Sequence, residues 1–432
     1  MVVVDRPEGA LTEDAVDHVV IVGAGQAGGD LAASLREMSF AGRITMIGGE
    51  DSYPYSRHPL SKTFLREKKP RSELLLRPEE TYERFDIDVQ RGVRVVSIER
   101  ENKRVLLDDG RIVDYDALVL ATGGSPRTYP DDSLADASNV FYLRAAEHAD
   151  GLRGHLTPGA RLTVIGGGYI GLEVAAVARG LGLEVTVVER EERLLARVTS
   201  PVTSAFFAQV HDEEGVVLRT GRSVSSFRVG PDRRLTAVVL DDDTTIETDV
   251  CLIGIGLRPD TELAQAAGLE VSDGVLVDST LRTSDPAIFA IGDVARFPSR
   301  DSGETRRLES IPNCTEQARA LARTLTGGTE PFDAVPWFWS DQYDMKLQVV
   351  GLANPSDVVI VRRDPDRKRG FAVFYLRYDE VCAAEIVSSP RDFAIAKKLV
   401  HQRAIVDPGK LADPAVPLKD LLSKATSTPA VS

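Results

Sequence analysis

Twice in this chain an apolar run leads directly into a glycine-rich turn and then into a helical pattern, and that recurrence limits the folds open to it. The first copy reads DHVVIVGAGQAGGDLAASLREM, with apolar residues 19–22, glycines at 23, 25 and 28, and helical spacing through Leu31 and Leu35. The second reads RLTVIGGGYIGLEVAAVARGLG, apolar over 162–165, with glycines at 166, 167, 168 and 171 and a helix carrying Leu172 and Val177. A lone turn of this kind is a weak signal, because glycine turns arise for structural reasons alone. Here each copy lies between strand and helix, and each is followed by another strand, RITMIGGE or EVTVVER. Two β-α-β units result, which impose parallel sheets with crossover helices. In each unit the first glycine (Gly23, Gly166) permits the tight turn and the second (Gly25, Gly168) lets the backbone approach a pyrophosphate. The third (Gly28, Gly171) allows the helix to pack closely on the strand. The helix N-terminus offers free N–H groups and the positive end of its dipole to the phosphates.

An acid that holds a ribose is expected at the end of the second strand of each unit. Glu189 ends EVTVVE, where it binds adenosine ribose hydroxyls and repels a 2′-phosphate, favouring NADH; the nearby Arg190 and Arg193 temper that preference. In the first unit Gly48-Gly49-Glu50 puts Glu50 slightly late for the same role. Two more apolar strands ending in glycine, DALVLATGG (116–124) and DVCLIGIGLRPD (249–260), bracket the second unit. They predict a nucleotide-binding domain over 126–250 inserted into a discontinuous one made of 17–125 and 251–330, whose chain resumes near Cys251 and runs through AIFAIGDVARF. Past TGGTEPFDAVP the pattern changes to short alternating strands, LQVVGL, DVVIVRR and FAVFYLRY, then a helix, FAIAKKLVHQRA. This predicts a C-terminal α+β domain over 331–423, a loose leader over 1–16 and a tail over 424–432. The fold class is α/β: two Rossmann-like dinucleotide-binding domains plus the C-terminal α+β domain.

Composition narrows the function. A chain of 432 residues with 43% hydrophobic and 27% charged residues is ordinary for a globular protein and excludes disorder over most of its length. A net charge of −14 disfavours nonspecific binding to nucleic acid or anionic membrane. No apolar stretch approaches a membrane span, and the start, MVVVDRPEGALTEDAV, lacks the basic flank and apolar core of a signal peptide. The three cysteines, Cys251, Cys314 and Cys382, are too far apart for a C-x-x-C or C-x4-C pair or an iron–sulfur ligand set. No metal site is expected, and a reducing cytoplasm is the natural compartment.

The segments GAGQAG, LVLATGG, GGGYIG, LIGIGLRPD and AIFAIGD, spread over residues 17 to about 423, resemble the two-dinucleotide-binding flavoproteins of glutathione-reductase-like fold. That family includes NADH oxidases, apoptosis-inducing factor and oxygenase-coupled ferredoxin reductases. The resemblance implies FAD on the first unit and NADH on the second, with Asp293 of the GD motif against the ribityl-phosphate region of FAD. Disulfide reductases of the family carry a redox cysteine pair after the first ribose strand, and many NADH oxidases carry one cysteine there. Here that segment reads SYPYSRHPLSKTFL, without cysteine, so dithiol and sulfenate chemistry have no carrier. Its PLSK resembles the PPLSK element of the oxygenase-coupled reductases, with His58 where the first proline is common. By that resemblance Lys62 lies beside the flavin N5 edge, paired with Glu173 of the GLE that follows the second glycine motif. An ammonium there stabilises the negative charge gained on reduction, and the carboxylate offsets its burial. His58 is read as a solvated loop histidine.

Three further stretches narrow the resemblance: YLR ending in Arg144, RLESIPNCTEQAR with Ile311 near its centre, and PWFWSDQYDMKLQVVG with Trp339. Together they look like the FAD-dependent NADH:ferredoxin reductases, putidaredoxin reductase-like, that serve class I cytochrome P450s or Rieske dioxygenases. The resemblance places Gly23, Gly25, Ala27, Gly28, Glu50, Arg57, Lys62, Val95, Arg144, Asp293 and Ile311 around FAD. It places Gly166, Gly168, Ile170, Gly171, Glu189 and Gly256 around NAD. Trp339 lies close to the isoalloxazine or, on the residues alone, in hydrophobic core. The implied reaction carries electrons from NADH through FAD to a separate [2Fe-2S] ferredoxin, and thence to a P450 or ring-hydroxylating oxygenase. An acidic reductase meeting an acidic ferredoxin needs a local basic patch, for which Arg77, Arg319 and Lys397 are the candidates. A rubredoxin reductase or NADH oxidase of the same fold, and a redox-sensing binding protein like apoptosis-inducing factor, are the competing readings.

Overall fold

The structure is a computed structural model and describes residues 16–67, 69–299, 304–363 and 369–422. The expected leader, apart from Val16, and the expected tail lie outside the described residues. The first sheet is parallel, with strands in the order Ile288–Ala290, Ala117–Leu120, His18–Val22, Arg43–Gly48 and Ile87–Arg91. Its central strand carries Val19, Val20 and Ile21, all fully buried, because a parallel strand covered on both faces must be apolar throughout. The helix Gln26–Glu37 follows the first glycine turn and packs against the helix Ile311–Leu325. The two are joined by Thr315, whose hydroxyl donates to buried Asp30 at 2.8 Å.

The second sheet is also parallel, in the order Val217–Thr220, Glu184–Glu189, Arg161–Ile165, Val250–Ile253 and Val140–Phe141. This moves the expected domain boundary. The strand 250–253 was expected to open the return to the first domain, yet it pairs with the second, Leu162 opposite Val250 and Ile165 opposite Ile253. The VCLI strand is buried throughout, as an interior parallel strand is, and its backbone is hydrogen-bonded on both edges, to 161–165 and 140–141. It stands in the second sheet where Ala117–Leu120 stands in the first, beside the strand that feeds the glycine turn. The chain crosses between the domains through an antiparallel two-stranded ribbon, Gly124–Pro126 against Leu257–Pro259.

The C-terminal sheet is antiparallel, in the order Trp337–Gln342, Met345–Gly351, Glu380–Val387, Phe371–Arg377 and Val358–Arg363. Its period-two alternation divides two cores. Leu347, Phe371, Val373 and Tyr375 join the core of the second domain, while Val350, Ala372, Phe374 and Leu376 pack with Phe393, Ala396 and Leu399 of the helix Pro390–His401. The C-terminal domain is therefore fused to the second domain, and its first strand reaches the second glycine-turn helix, where Phe338 meets Tyr169 edge-on at 4.8 Å. No described helix is long and apolar enough to cross a membrane.

Candidate functional site

The two glycine turns are built alike. A Cβ on Gly23 (φ 116°) would sit 2.2 Å from the Ala121 carbonyl oxygen, and one on Gly28 would sit 2.1 Å from that of Gly23. In the second copy a Cβ on Gly166 (φ 109°) would sit 2.3 Å from the Gly254 oxygen and one on Gly171 2.2 Å from the Gly166 oxygen. A Cβ on Gly25 or Gly168, by contrast, would meet nothing within 4 Å. Packing demands the first and third glycines of each motif; at the second the backbone lies open at a helix N-terminus, ready for an anion. Both open positions line one cleft of about 820 Å3.

Glu189 is anchored in this cleft by two backbone donors, the N–H of Gly167 at 2.6 Å and of Glu191 at 2.8 Å. Glu50, late by sequence, is also in the cleft, where it accepts from the Tyr55 hydroxyl at 2.6 Å and from Arg57 at 2.5 Å. Burial pushes the Glu50 carboxyl pKa up, but Arg57, the Tyr55 bond and Arg144 outweigh it and hold the group below its ordinary value. Arg57 also donates to the Arg144 carbonyl at 2.9 Å, tying this corner to the strand-end YLR. Tyr55 carries no sequence signal of its own, because only the fold turns its hydroxyl onto both charges.

At the junction of the two halves Lys62 Nζ lies 3.0 Å from Glu173 Oε1. Glu173, on the helix Tyr169–Gly180, is only 2% exposed. Two hydroxyls complete its shell: Ser61 donates to Oε2 at 2.5 Å and Ser340 to Oε1 at 2.6 Å. Neither serine was singled out, although Ser61 stands inside PLSK and Ser340 directly follows Trp339. Trp339 lines the cleft, edge-on to His58 at 5.6 Å and 5.7 Å from Trp337.

Asp293 sits in the short turn Gly292–Val294 and pairs with Arg144 at 3.3 Å, both lining the cleft. Buried Cys314 places its thiol 3.7 Å from the same carboxylate, and burial together with that charge pushes the thiol pKa far up. Ala27, Ile311, Ile170 and Gly256 also line the cleft. Val95 is not among its lining residues: it opens an antiparallel strand and packs against the first-domain core, while the preceding residue, Arg94, lines the cleft. The three proposed partner cations separate. Arg77 is half-buried and committed internally, to Asp30 at 3.2 Å and the Gly29 carbonyl at 3.4 Å. Arg319 is exposed on the helix Ile311–Leu325, 3.9 Å from Glu316. Lys397 places its ammonium over the Trp337 ring at 4.8 Å, which links it through Trp337 to Trp339.

Residues 17–318 match the pyridine nucleotide-disulphide oxidoreductase family, and residues 337–422 match the reductase C-terminal family. The chain is 43% identical over 418 residues to putidaredoxin reductase of Pseudomonas putida, covering 95% of this chain and 98% of that one. It is 41% identical over 408 residues to the ferredoxin–NAD(+) reductase component of the anthranilate 1,2-dioxygenase system of Burkholderia cepacia, covering 94% and 99%. The crystal structure of a covalent putidaredoxin reductase–putidaredoxin complex contains a chain that superposes with a TM-score of 0.92 at 43% identity, over 95% of this chain and 99% of that one.

Proposed function

The chain belongs to the pyridine nucleotide-disulphide oxidoreductase family, in its branch that ends in a reductase C-terminal domain, and from that premise we propose that it is an FAD-dependent NADH:ferredoxin reductase. It passes electrons from NADH through FAD to a [2Fe-2S] ferredoxin that serves a cytochrome P450 or a ring-hydroxylating oxygenase. The observation that carries this reading is the Lys62–Glu173 pair, set where two glycine cradles open into one cleft whose sole lining cysteine is the buried, high-pKa Cys314. A dithiol reductase has no carrier in such a site.

The residues fit FAD on the first cradle: an open backbone at Gly25, a charged pair at Arg144 and Asp293, and the Glu50 carboxylate held ionised beside Arg57. When bound, FAD accepts a two-electron hydride and releases electrons singly, as an iron–sulfur acceptor requires. The protein supplies placement and charge. Gly25 and Gly168 offer N–H groups to the two pyrophosphates, and Glu189 takes the adenosine ribose of NADH and repels a 2′-phosphate. Lys62 would hold a cation beside the cofactor's reactive edge, where Glu173 fixes that cation in place and Trp339 lines the same cleft. Three free thiols, two of them buried, favour a cytoplasmic site of action. The test is NADH-dependent turnover with a purified [2Fe-2S] ferredoxin, a rubredoxin and oxygen as alternative acceptors. Fast reduction of the ferredoxin is expected, and a preference for rubredoxin or oxygen would overturn the assignment.

A further inference from the structure

Behind Glu173 a line of buried polar side chains leads away from the cleft. Ser340 Oγ lies 2.6 Å from Glu173 Oε1, and Gln342 Nε2 lies 3.3 Å from Ser340 Oγ. Gln342 Oε1 lies 2.9 Å from His211 Nε2, and the Tyr343 hydroxyl lies 3.1 Å from His211 Nδ1. Ser340, Gln342 and His211 are all fully buried. The line crosses a domain boundary: Glu173 and His211 belong to helices of the second domain, whereas Ser340 and Gln342 share one face of the C-terminal strand Trp337–Gln342, with Tyr343 in the turn that follows.

The carboxylate fixes the direction of every bond. An ionised Glu173 only accepts, so the single proton of Ser340 points at it, and Ser340 Oγ is left to accept from Gln342. Gln342 must then present its NH2 to Ser340 and its carbonyl oxygen to His211. His211 must therefore carry its proton on Nε2, and its Nδ1 lone pair accepts from Tyr343. Burial pushes the His211 pKa down although the Gln342 bond opposes it, which keeps the ring neutral as this arrangement requires. All four donors point toward Glu173, the arrangement in which each bond polarises the next.

We propose that Tyr343, His211, Gln342 and Ser340 form an oriented arm that stabilises the Glu173 carboxylate and so sets how much of the Lys62 charge acts on the bound cofactor. The four are positioning residues. The Gln342 amide does not pass protons on, so the arm polarises without conducting. This inference rests on the placement of FAD beside Lys62 proposed above, and it makes the C-terminal domain part of the cofactor's electrostatic environment.

The decisive variant is Tyr343→Phe, which removes one hydroxyl at the far end of the arm and leaves the ring in place. With fewer donors the Glu173 charge is less dispersed and offsets Lys62 more, so the midpoint potential of bound FAD should fall in Tyr343→Phe and fall further in Ser340→Ala. In a Glu173→Gln background Tyr343→Phe should shift nothing, which a merely structural role would not predict. A wild-type potential in Tyr343→Phe, or an equal shift with and without Glu173, overturns the arm. A second measurement needs no flavin: 15N NMR of histidine-labelled protein, with His211→Phe to assign the signal, should show a neutral Nε2–H tautomer at pH 7. An Nδ1–H or cationic ring reverses the donors and sinks the proposal. A protein that takes up no FAD would instead defeat the functional reading, while the tautomer still decides the arm.

Discussion

Replacing Lys62 by Met removes the ammonium 3.0 Å from Glu173 and leaves that buried carboxylate to two serine hydroxyls. The flavin potential should become more negative and reduction by NADH slower, with FAD still bound; stopped-flow reduction and dye-coupled potentiometry check both. The cost in stability should not exceed about 3 kcal/mol, the lower end for breaking a buried pair. In the same cleft, Asp293→Ala leaves Arg144 unpaired and should weaken FAD retention by about 1–3 kcal/mol, the scale of a lost charged hydrogen bond, read by flavin release during dialysis. The role proposed for Glu189 makes it the residue that selects the nicotinamide cofactor. Since its carboxylate is pinned by Gly167 and Glu191, it cannot swing away from a 2′-phosphate, and kcat/KM should favour NADH by at least about tenfold, or 1.4 kcal/mol.

Among the elements, the C-terminal sheet depends on a charged brace. Asp357, buried at the start of the edge strand, accepts from Arg377 at 2.8 and 2.9 Å, from the Asn354 N–H at 2.6 Å and from the Cys382 thiol at 3.3 Å. Burial pushes its pKa up, but these donors outweigh burial and hold it below the ordinary carboxylate value. A carboxyl depressed in this way contributes stability that is complete above its unfolded value and is lost as pH falls through the folded one. Asp357→Asn should therefore lower the urea midpoint at pH 7, and the gap to the wild type should close as pH falls below about 4. If the gap were the same at pH 7 and pH 3, the brace would owe nothing to ionisation.

At the scale of the whole molecule, a net charge of −14 would repel an acidic ferredoxin, and encounter with such a partner then depends on local cations. Arg319 remains exposed and Lys397 lies over Trp337, two aromatic steps from the cleft residue Trp339. At 0.15 M ionic strength the screening length is about 8 Å, so ferredoxin-dependent turnover should fall with added salt while NADH-to-ferricyanide turnover changes little. Arg319→Glu should raise the KM for ferredoxin and spare the ferricyanide reaction. Arg77→Glu should behave differently. It breaks an internal pair with Asp30, which also accepts from Gln26 and Thr315, so thermal stability should drop without a specific change in ferredoxin KM.

The glycine spacing and the two apolar strand-turn-helix passages are enough to read two nucleotide cradles from the sequence, and the missing cysteines after the first ribose strand leave dithiol chemistry without a carrier; the flavin-side role of Lys62 rests on family resemblance. These features are local: backbone approach, φ above zero and the absence of a thiol are properties of a few consecutive residues. What sequence could not decide were the contacts between residues far apart in the chain. The strand 250–253 reads the same beside either sheet, and only its pairing with 161–165 and 140–141 assigns it to the second. Arg77 reads as a surface cation until the fold brings Asp30 beneath it, and resemblance places Val95 in the cleft where the fold sets Arg94. Ser340, Gln342 and His211 carry no motif at all. Their meaning arises because the C-terminal strand and the helix Pro201–Glu213 meet behind Glu173, where a carboxylate shut off from water must collect donors from whatever element the fold places beside it.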